Sequence, residues 1–236
     1  MDTLDLLVFG PHPDDAELGL GGTIALHTQK GYKVGICDLT MGEMGTNGTT
    51  EERQIESREA AKTLGVTVRE NLAIPDGFVS KSEENLKKTI EVIRKYRPNK
   101  ICTVNFNDDH PDHANGTLLI KEATFLSGLY KYPAEGQRFR PENLFYYFAA
   151  RPKNPDIVVD ITLVYDIKLR AIMKHESQLG LNKEKESIKT NLTNPNFLEK
   201  IKARDKYMGS FIKADYGEGL ICDRIPRVND LIKFGG

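Results

Sequence analysis

The chain has 236 residues, 39% of them hydrophobic, and its 33 lysines and arginines nearly balance its 34 aspartates and glutamates. A chain of this length and composition can bury a substantial apolar core, which excludes disorder as its main state. A net charge of -1 lacks the basic excess with which nucleic-acid-binding domains neutralise phosphates. We therefore expect a folded domain that does not bind DNA or RNA.

The sequence also lacks the signals of a membrane or secreted protein. Its longest uninterrupted apolar run, at residues 144–150, is far shorter than the roughly 18 residues that a membrane span needs. The first residues show neither the basic start nor the cleavage site of a signal peptide. Cys37, Cys102 and Cys222 are odd in number and far apart, which argues against a disulfide framework. These features predict a cytoplasmic protein without a membrane partner.

Apolar runs of strand length alternate with stretches of helical periodicity along the first half of the chain. In chain order they predict strands at 4–9, 33–39, 70–74 and 100–104, and helices at 19–30, 51–64, 83–96 and 114–126. Gly65 stands where a helix C-cap is expected. This βα repetition predicts a Rossmann-like α/β fold, with a mostly parallel sheet and helices on both faces.

The second half of the chain predicts further strands at 143–149 and 156–159, helices at 163–173 and 196–208, and an irregular last stretch. No linker or internal repeat divides the sequence. We therefore predict a single domain over residues 1–236. Residues 1–130 would form the βα core that carries the site, and residues 131–236 would form a C-terminal extension on the substrate side.

Histidines and aspartates are concentrated in two loops of this predicted core. In open parallel sheets, ligands bind beyond the carboxyl ends of the strands, which here means the loops at 10–18, 40–50 and 105–113. Residues 11–15 are Pro-His-Pro-Asp-Asp, and residues 108–113 are Asp-Asp-His-Pro-Asp-His. Imidazoles and a carboxylate from two such loops can bind zinc and leave a position open for water, while a neighbouring aspartate can act as general base.

The same residues have plainer interpretations. Asp14 or Asp15 would also be suitable as the N-cap of a following helix, and His110 followed by proline is typical of a helix start. Either loop alone would be ambiguous, but their joint occurrence at strand ends favours a metal site. His27 and His175 lie outside these loops, where single histidines are mostly surface or satisfied core residues.

The glycine-rich loop at 41–50 lacks the lysine of a phosphate-binding loop. Gly19, Gly21 and Gly22 follow the His-Asp motif instead of the first strand and do not match the dinucleotide fingerprint. A nucleotide site is therefore disfavoured. Arg53, at the start of the next helix, could contact a ligand at the sheet end, although an arginine in a charged first turn more often belongs to a solvated face.

These motifs resemble the LmbE-like or PIG-L family of zinc-dependent N-deacetylases. The resemblance rests on residues 11–15, on the helix with Arg53-x-x-Glu56 and Ala60-Ala61-x-x-Leu64-Gly65, and on residues 110–113. It implies a Rossmann-like fold and removal of acetyl groups from N-acetylglucosamine-containing substrates.

The resemblance also implies a role for each motif residue. His12, Asp15 and His113 would be the zinc ligands and Asp14 the general base. His110 would be a protonated acid or oxyanion stabiliser oriented by Asp112, and Arg53 would contact the substrate. Histidine and aspartate ligands also suit iron(II) or cobalt. Either Asp14 or His110 would protonate the departing amine.

Residues 217–224 are similar to the tail of the subgroup that deacetylates N-acetylglucosaminyl malate in bacillithiol biosynthesis. The substrate would then be a small N-acetylated amino sugar, and the family resemblance also implies a homo-oligomer, for example a hexamer. Three alternatives stay open: a diacetylchitobiose-type deacetylase, an amidase acting on thiol conjugates, and a non-catalytic metal-dependent sugar-binding module.

Overall fold

The computed structural model of the chain describes residues 3–106, 108–182 and 186–230. Within these residues the strands are β1 Leu6–Gly10, β2 Val34–Asp38, β3 Val68–Asn71, β4 Lys100–Val104, β5 Asn143–Tyr147, β6 Ile157–Asp160 and β7 Gly217–Cys222. The helices are α1 Asp15–Gln29, α2 Thr50–Leu64, α3 Glu83–Tyr96, α4 Pro111–Leu126, α5 Tyr165–Ile172, α6 Glu176–Leu179 and α7 Phe197–Ser210.

The strands form one sheet in the order β3-β2-β1-β4-β5-β7-β6. From β3 to β5 all neighbours are parallel, and β7 runs antiparallel to both β5 and β6. The predicted α/β fold with a mostly parallel sheet is therefore confirmed. The strand order reverses between β1 and β4, and in doubly wound sheets ligands bind in the crevice at such a point.

Both faces of the sheet are covered by helices. Leu6 and Val8 of β1 pack into the core under α1, α2 and α5, while Leu7 and Phe9 pack into the core under α3 and α4. Burial on both faces explains why β1 is apolar along its whole length instead of alternating. No helix among the described residues is long and apolar enough to cross a bilayer.

Two helices begin earlier than predicted. α1 begins at Asp15 instead of residue 19, and α4 begins at Pro111 instead of residue 114. The two His-Asp motifs therefore run directly into the first turns of these helices. The helix predicted at 163–173 begins with a 3-10 turn, Thr162–Val164, before α5.

The prediction of an irregular last stretch is wrong, because Gly217–Cys222 forms β7. Glycine has a low strand propensity, so Gly217 and Gly219 hid this strand in the sequence. Their lack of a side chain is used in packing: a Cβ on Gly219 would lie 2.7 Å from Sδ of Met208 in α7. Strands from both sides of residue 131 thus belong to one sheet.

Candidate metal centre and active site

The loops after β1 and β4 meet in the crevice between these strands. Oδ2 of Asp15 lies 3.2 Å from Nδ1 of His12 and 3.2 Å from Nε2 of His113. Ligand atoms of a tetrahedral zinc ion with bonds of about 2.0–2.1 Å stand about 3.3 Å apart. Both distances from Oδ2 of Asp15 therefore match the separation between ligand atoms in a zinc site.

The outer nitrogens of both histidines face further carboxylates. Nε2 of His12 lies 3.1 Å from Oδ1 of Asp76, and Nδ1 of His113 lies 3.1 Å from Oδ2 of Asp108. A carboxylate at the outer nitrogen holds the proton there and directs the lone pair of the inner nitrogen toward a metal. Asp76 hydrogen-bonds His12 in this way, whereas Asp108 lies close to Nδ1 of His113 without a hydrogen bond of good geometry.

Two groups among the described residues have ligand atoms that all lie within 4.8 Å of one another, and neither includes Asp15: His12 with His110 and His113, and His12 with Asp76 and Asp112. The carboxylate of Asp112 accepts hydrogen bonds from the backbone N–H groups of Gly77 and Val79 at 2.7 and 3.1 Å, and its Oδ2 lies 3.5 Å from Nε2 of His12. His12, Asp15 and His113 stay the predicted ligands, because Oδ2 of Asp15 lies near a nitrogen of both histidines.

The electrostatics of the site favour a cation. Burial acts to lower the pKa of His12, but hydrogen bonds to Asp112, Asp15 and Asp76 outweigh it and raise that pKa to about 12. Burial is likewise outweighed at His113, where Asp15 and Asp108 raise the pKa to about 10. A field that holds protons this firmly also stabilises a dication, which displaces those protons when it binds.

Asp14 occupies the N-cap position of α1, but its side chain makes no capping hydrogen bond. The helix-cap interpretation therefore does not account for this carboxylate. Asp14 is buried, and burial raises its pKa, while the nearby Arg53 guanidinium opposes the rise. Nη2 of Arg53 lies 3.5 Å from Oδ2 of Asp14. A carboxylate with a raised pKa beside a metal site is suited to accept a proton near neutral pH.

Arg53 does not belong to a solvated face, since it is only 4% exposed. A capping box between Thr49 and Glu52 fixes the start of α2, and Nη1 of Arg53 donates to the carbonyl of Gly42 at 2.8 Å. Gly42 has a φ of 67°, and a Cβ there would clash with Nη1 of Arg53. The glycine-rich loop after β2 therefore makes room for the arginine, which contacts the candidate general base.

His110 is both a helix cap and a residue of the candidate active site. It is the N-cap of α4, with Pro111 as the first helical residue, and its Nδ1 accepts from the backbone N–H of Asp112 at 3.2 Å. The Asp112 carboxylate faces residues 77–79 instead, so Asp112 orients the imidazole through its backbone and not through its side chain. Burial, His12 and His113 lower the pKa of His110, which favours the predicted oxyanion-stabilising role over that of a protonated acid.

Sequence reasoning missed Asp76, which follows β3 in a Pro-Asp-Gly turn. The rule that ligand-binding residues follow parallel strands applies to β3 as well and could have found it. His175 was assigned to the surface or to the satisfied core. It is buried, its Nε2 lies 3.6 Å from Oε1 of Glu17, and within the described part of the chain neither ring nitrogen has a hydrogen-bond partner.

Residues 7–124 match the profile of the family described as PIG-L, GlcNAc-PI de-N-acetylase. Diacetylchitobiose deacetylase from Thermococcus kodakarensis is 33% identical over 75% of this chain and 71% of its own length. Probable N-acetyl-alpha-D-glucosaminyl L-malate deacetylase 2 from Bacillus subtilis is 30% identical over 79% of this chain and 89% of its own. The crystal structure of the conserved protein TT1542 from Thermus thermophilus superposes with a TM-score of 0.87 at 38% identity, covering 96% of this chain and 98% of that one.

Proposed function

The chain belongs to the PIG-L family, and we propose that it is a zinc-dependent hydrolase that removes the acetyl group from an N-acetylglucosamine derivative. The observation that carries this proposal is the position of Asp15, whose Oδ2 lies 3.2 Å from a nitrogen of both His12 and His113, next to the buried Asp14. This arrangement combines three ligands with a general base, which a non-catalytic sugar-binding module would not need.

The donor set fits the proposed metal. Two imidazoles and one carboxylate are a ligand combination of catalytic zinc sites, and they also suit iron(II). Bound there, zinc supplies Lewis acidity, which polarises an amide carbonyl and makes water a better nucleophile. His12, Asp15 and His113 would hold it, and the carboxylates of Asp76 and Asp108 would orient the two imidazoles.

The remaining steps belong to the protein's own side chains. Asp14 takes the proton of the attacking water on its carboxylate, and the Arg53 guanidinium beside it favours the charged form of that carboxylate. His110 presents Nε2–H toward the carbonyl oxygen of the acetamide, where negative charge develops. Proton delivery to the departing amine falls to Asp14 or His110.

Two N-acetylglucosamine derivatives are the main candidate substrates. The similarity to the Bacillus subtilis relative supports N-acetylglucosaminyl malate, and the similarity to the Thermococcus kodakarensis relative supports diacetylchitobiose. Residues 217–224 do not help to choose. Glu218 is buried against Lys168, and Asp223 bonds to Lys121 and Tyr146, so these charged residues are used within the fold.

The experiment is acetate release by the zinc-loaded protein from N-acetylglucosaminyl malate, diacetylchitobiose and an N-acetylated thiol conjugate. We expect release from at least one of the two glucosamine derivatives, and the faster one identifies the substrate. Asp14→Asn serves as the metal-binding but inactive control. Zinc binding without acetate from any of the three compounds would contradict the proposed activity.

A further inference from the structure

Four charged side chains are buried between α1 and the last third of the chain, away from the metal site. Nζ of Lys168 lies 2.7 Å from Oδ2 of Asp205 and 2.7 Å from Oε1 of Glu218, and Nε of Arg204 donates to Oδ1 of Asp205 at 3.0 Å. All four are at most 8% exposed. We call them the charge clamp. Its two cations and two anions neutralise one another without a metal.

The charge clamp forms hydrogen bonds with the backbone of α1. Oε1 and Oε2 of Glu218 accept from the N–H groups of Gly22 and Thr23 at 2.9 and 2.6 Å. Nη2 of Arg204 donates to the carbonyl of Leu18, one turn earlier in the same helix. A side-chain carboxylate on mid-helix N–H groups is unusual, because those groups already have partners within the helix.

Arg204 also ties the same helix to the sheet. Its Nη1 donates to the carbonyls of Phe148 and Ala149, just beyond the end of β5, at 3.0 and 2.7 Å. The planar fork of a guanidinium is needed for this, since one side chain reaches three carbonyls and a carboxylate at once. Arg204 of α7 therefore links α1 directly to the end of β5.

The glycines of α1 permit this close contact. A Cβ on Gly19 would clash with the ring of Tyr147, and one on Gly21 would lie 3.2 Å from Cγ of Lys168. The close approach of β5 and α5 to α1 thus explains why these two positions are glycine, although they do not form a nucleotide site.

We infer that Arg204 and Glu218 are positioning residues for the metal site, because they fix the helix whose first turn carries Asp14 and Asp15. Leu18 connects Arg204 to the metal site. Its carbonyl accepts a hydrogen bond from Arg204, and its N–H donates to the carbonyl of Asp14 at 2.9 Å. This inference rests on the proposed function. A displacement of about 1 Å at a catalytic group can cost about 10²-fold in rate.

The test is Arg204→Lys in the full chain, which keeps the charge beside Asp205 but loses the fork. We expect zinc affinity, measured by competition with a chelator, to fall about 10-fold, as for other losses of support behind a metal site. We expect kcat to fall about 10- to 100-fold with little change in KM, and the visible absorption spectrum of the cobalt(II)-loaded protein to change.

Arg94→Lys is the matched control. Arg94 of α3 is also buried and donates to several carbonyls, including Ser127 at 3.2 Å and Leu129 at 2.9 Å, but it packs against the opposite face of the sheet from α1. It should lower the melting temperature while zinc affinity, kcat and the cobalt spectrum stay at wild-type values.

Glu218→Gln is the milder second variant, for the case that Arg204→Lys does not fold, because the amide retains one oxygen for the α1 backbone. It should change the same three quantities in the same direction. Folded variants with wild-type zinc affinity, kcat and cobalt spectrum would overturn the inference. Wild-type protein that binds zinc but releases no acetate would contradict the proposed function instead, and zinc affinity and the cobalt spectrum would still decide whether the clamp positions the site.

Discussion

The metal site and the charge clamp are two buried polar clusters that contact different turns of α1, and they differ in charge balance. At the first turn of α1, five carboxylates surround the imidazoles, and Arg53 contacts one of them: Asp14, Asp15, Asp76, Asp108 and Asp112. One turn further along, Lys168 and Arg204 neutralise Asp205 and Glu218.

This difference distinguishes a ligand site from a structural device. Burying charge is costly unless it is paired, so an excess of buried carboxylate indicates that a cation completes the cluster. The clamp needs no such completion. Substitutions in the first cluster should therefore act directly on the metal, and substitutions in the clamp should act on it only through the position of α1. Substitutions away from both clusters should act through stability alone.

The largest effect is expected from His113→Ala, which removes one of the three ligands. Zinc stoichiometry should fall well below one per chain, and acetate release should fall by about 10³-fold or more because both the Lewis acid and its oriented water are lost. Metal analysis after gel filtration, together with the acetate assay, measures both. Full zinc occupancy in this variant would rule out the proposed ligand set.

Asp14→Asn comes next, since it removes the general base and leaves the ligands in place. Turnover should fall about 10²- to 10⁴-fold, the range typical for loss of acid–base catalysis. Zinc content should stay at the wild-type value. Near wild-type turnover would show that another group accepts the proton.

Asp76→Asn tests the carboxylate behind His12. Zinc affinity should fall about 10- to 100-fold, because the outer carboxylate sets the tautomer and basicity of the ligand. Asp109→Asn is the control, since Asp109 is exposed and paired with the equally exposed Arg151. Equal zinc affinities in the two variants would show that Asp76 does not support the metal.

Arg53→Ala should change the pH profile. Loss of the cation raises the pKa of Asp14 further, so the base form requires a higher pH and the acidic limb of kcat/KM moves to higher pH. KM should rise as well if Arg53 contacts substrate. Arg58→Ala, an exposed site on the same helix, should leave the profile in place. If the acidic limb of Arg53→Ala stays at the wild-type pH, Arg53 does not influence the pKa of the catalytic base.

Gly65→Ala should have the smallest effect and act on stability alone. Gly65 ends α2 with a φ of 71°, where a side chain costs about 1 kcal/mol. Urea unfolding should show that loss, with zinc affinity and kcat unchanged. A change in either would mean that the end of α2 is coupled to the site.

Local patterns in the sequence were sufficient for most of the fold and for the metal loops. Apolar runs bounded by turn residues identified five of the seven strands described, and a sixth, β3, was predicted at 70–74 but lies at Val68–Asn71. The paired His-Asp motifs at strand ends indicated a metal site, because their residue types have few other uses at such positions. The structure then brought His12, Asp15 and His113 together.

Features that depend on contacts distant in the chain were not predictable. Asp76 stands alone in a Pro-Asp-Gly turn, a sequence typical of any surface turn, and its distance to His12 arises only when β3 joins the sheet. The charge clamp joins Leu18, Arg204 and Glu218, which have no local pattern in common. The burial of Arg53 was not predictable for the same reason, since it depends on contacts with Gly42 and Asp14.

Whether the activity depends on zinc is decided by acetate release from protein stripped of metal with a chelator, measured before and after zinc is returned. We expect no release by the stripped protein, recovery with about one equivalent of zinc per chain, and no recovery in His113→Ala. Undiminished acetate release from the stripped wild-type protein would contradict the proposed zinc dependence.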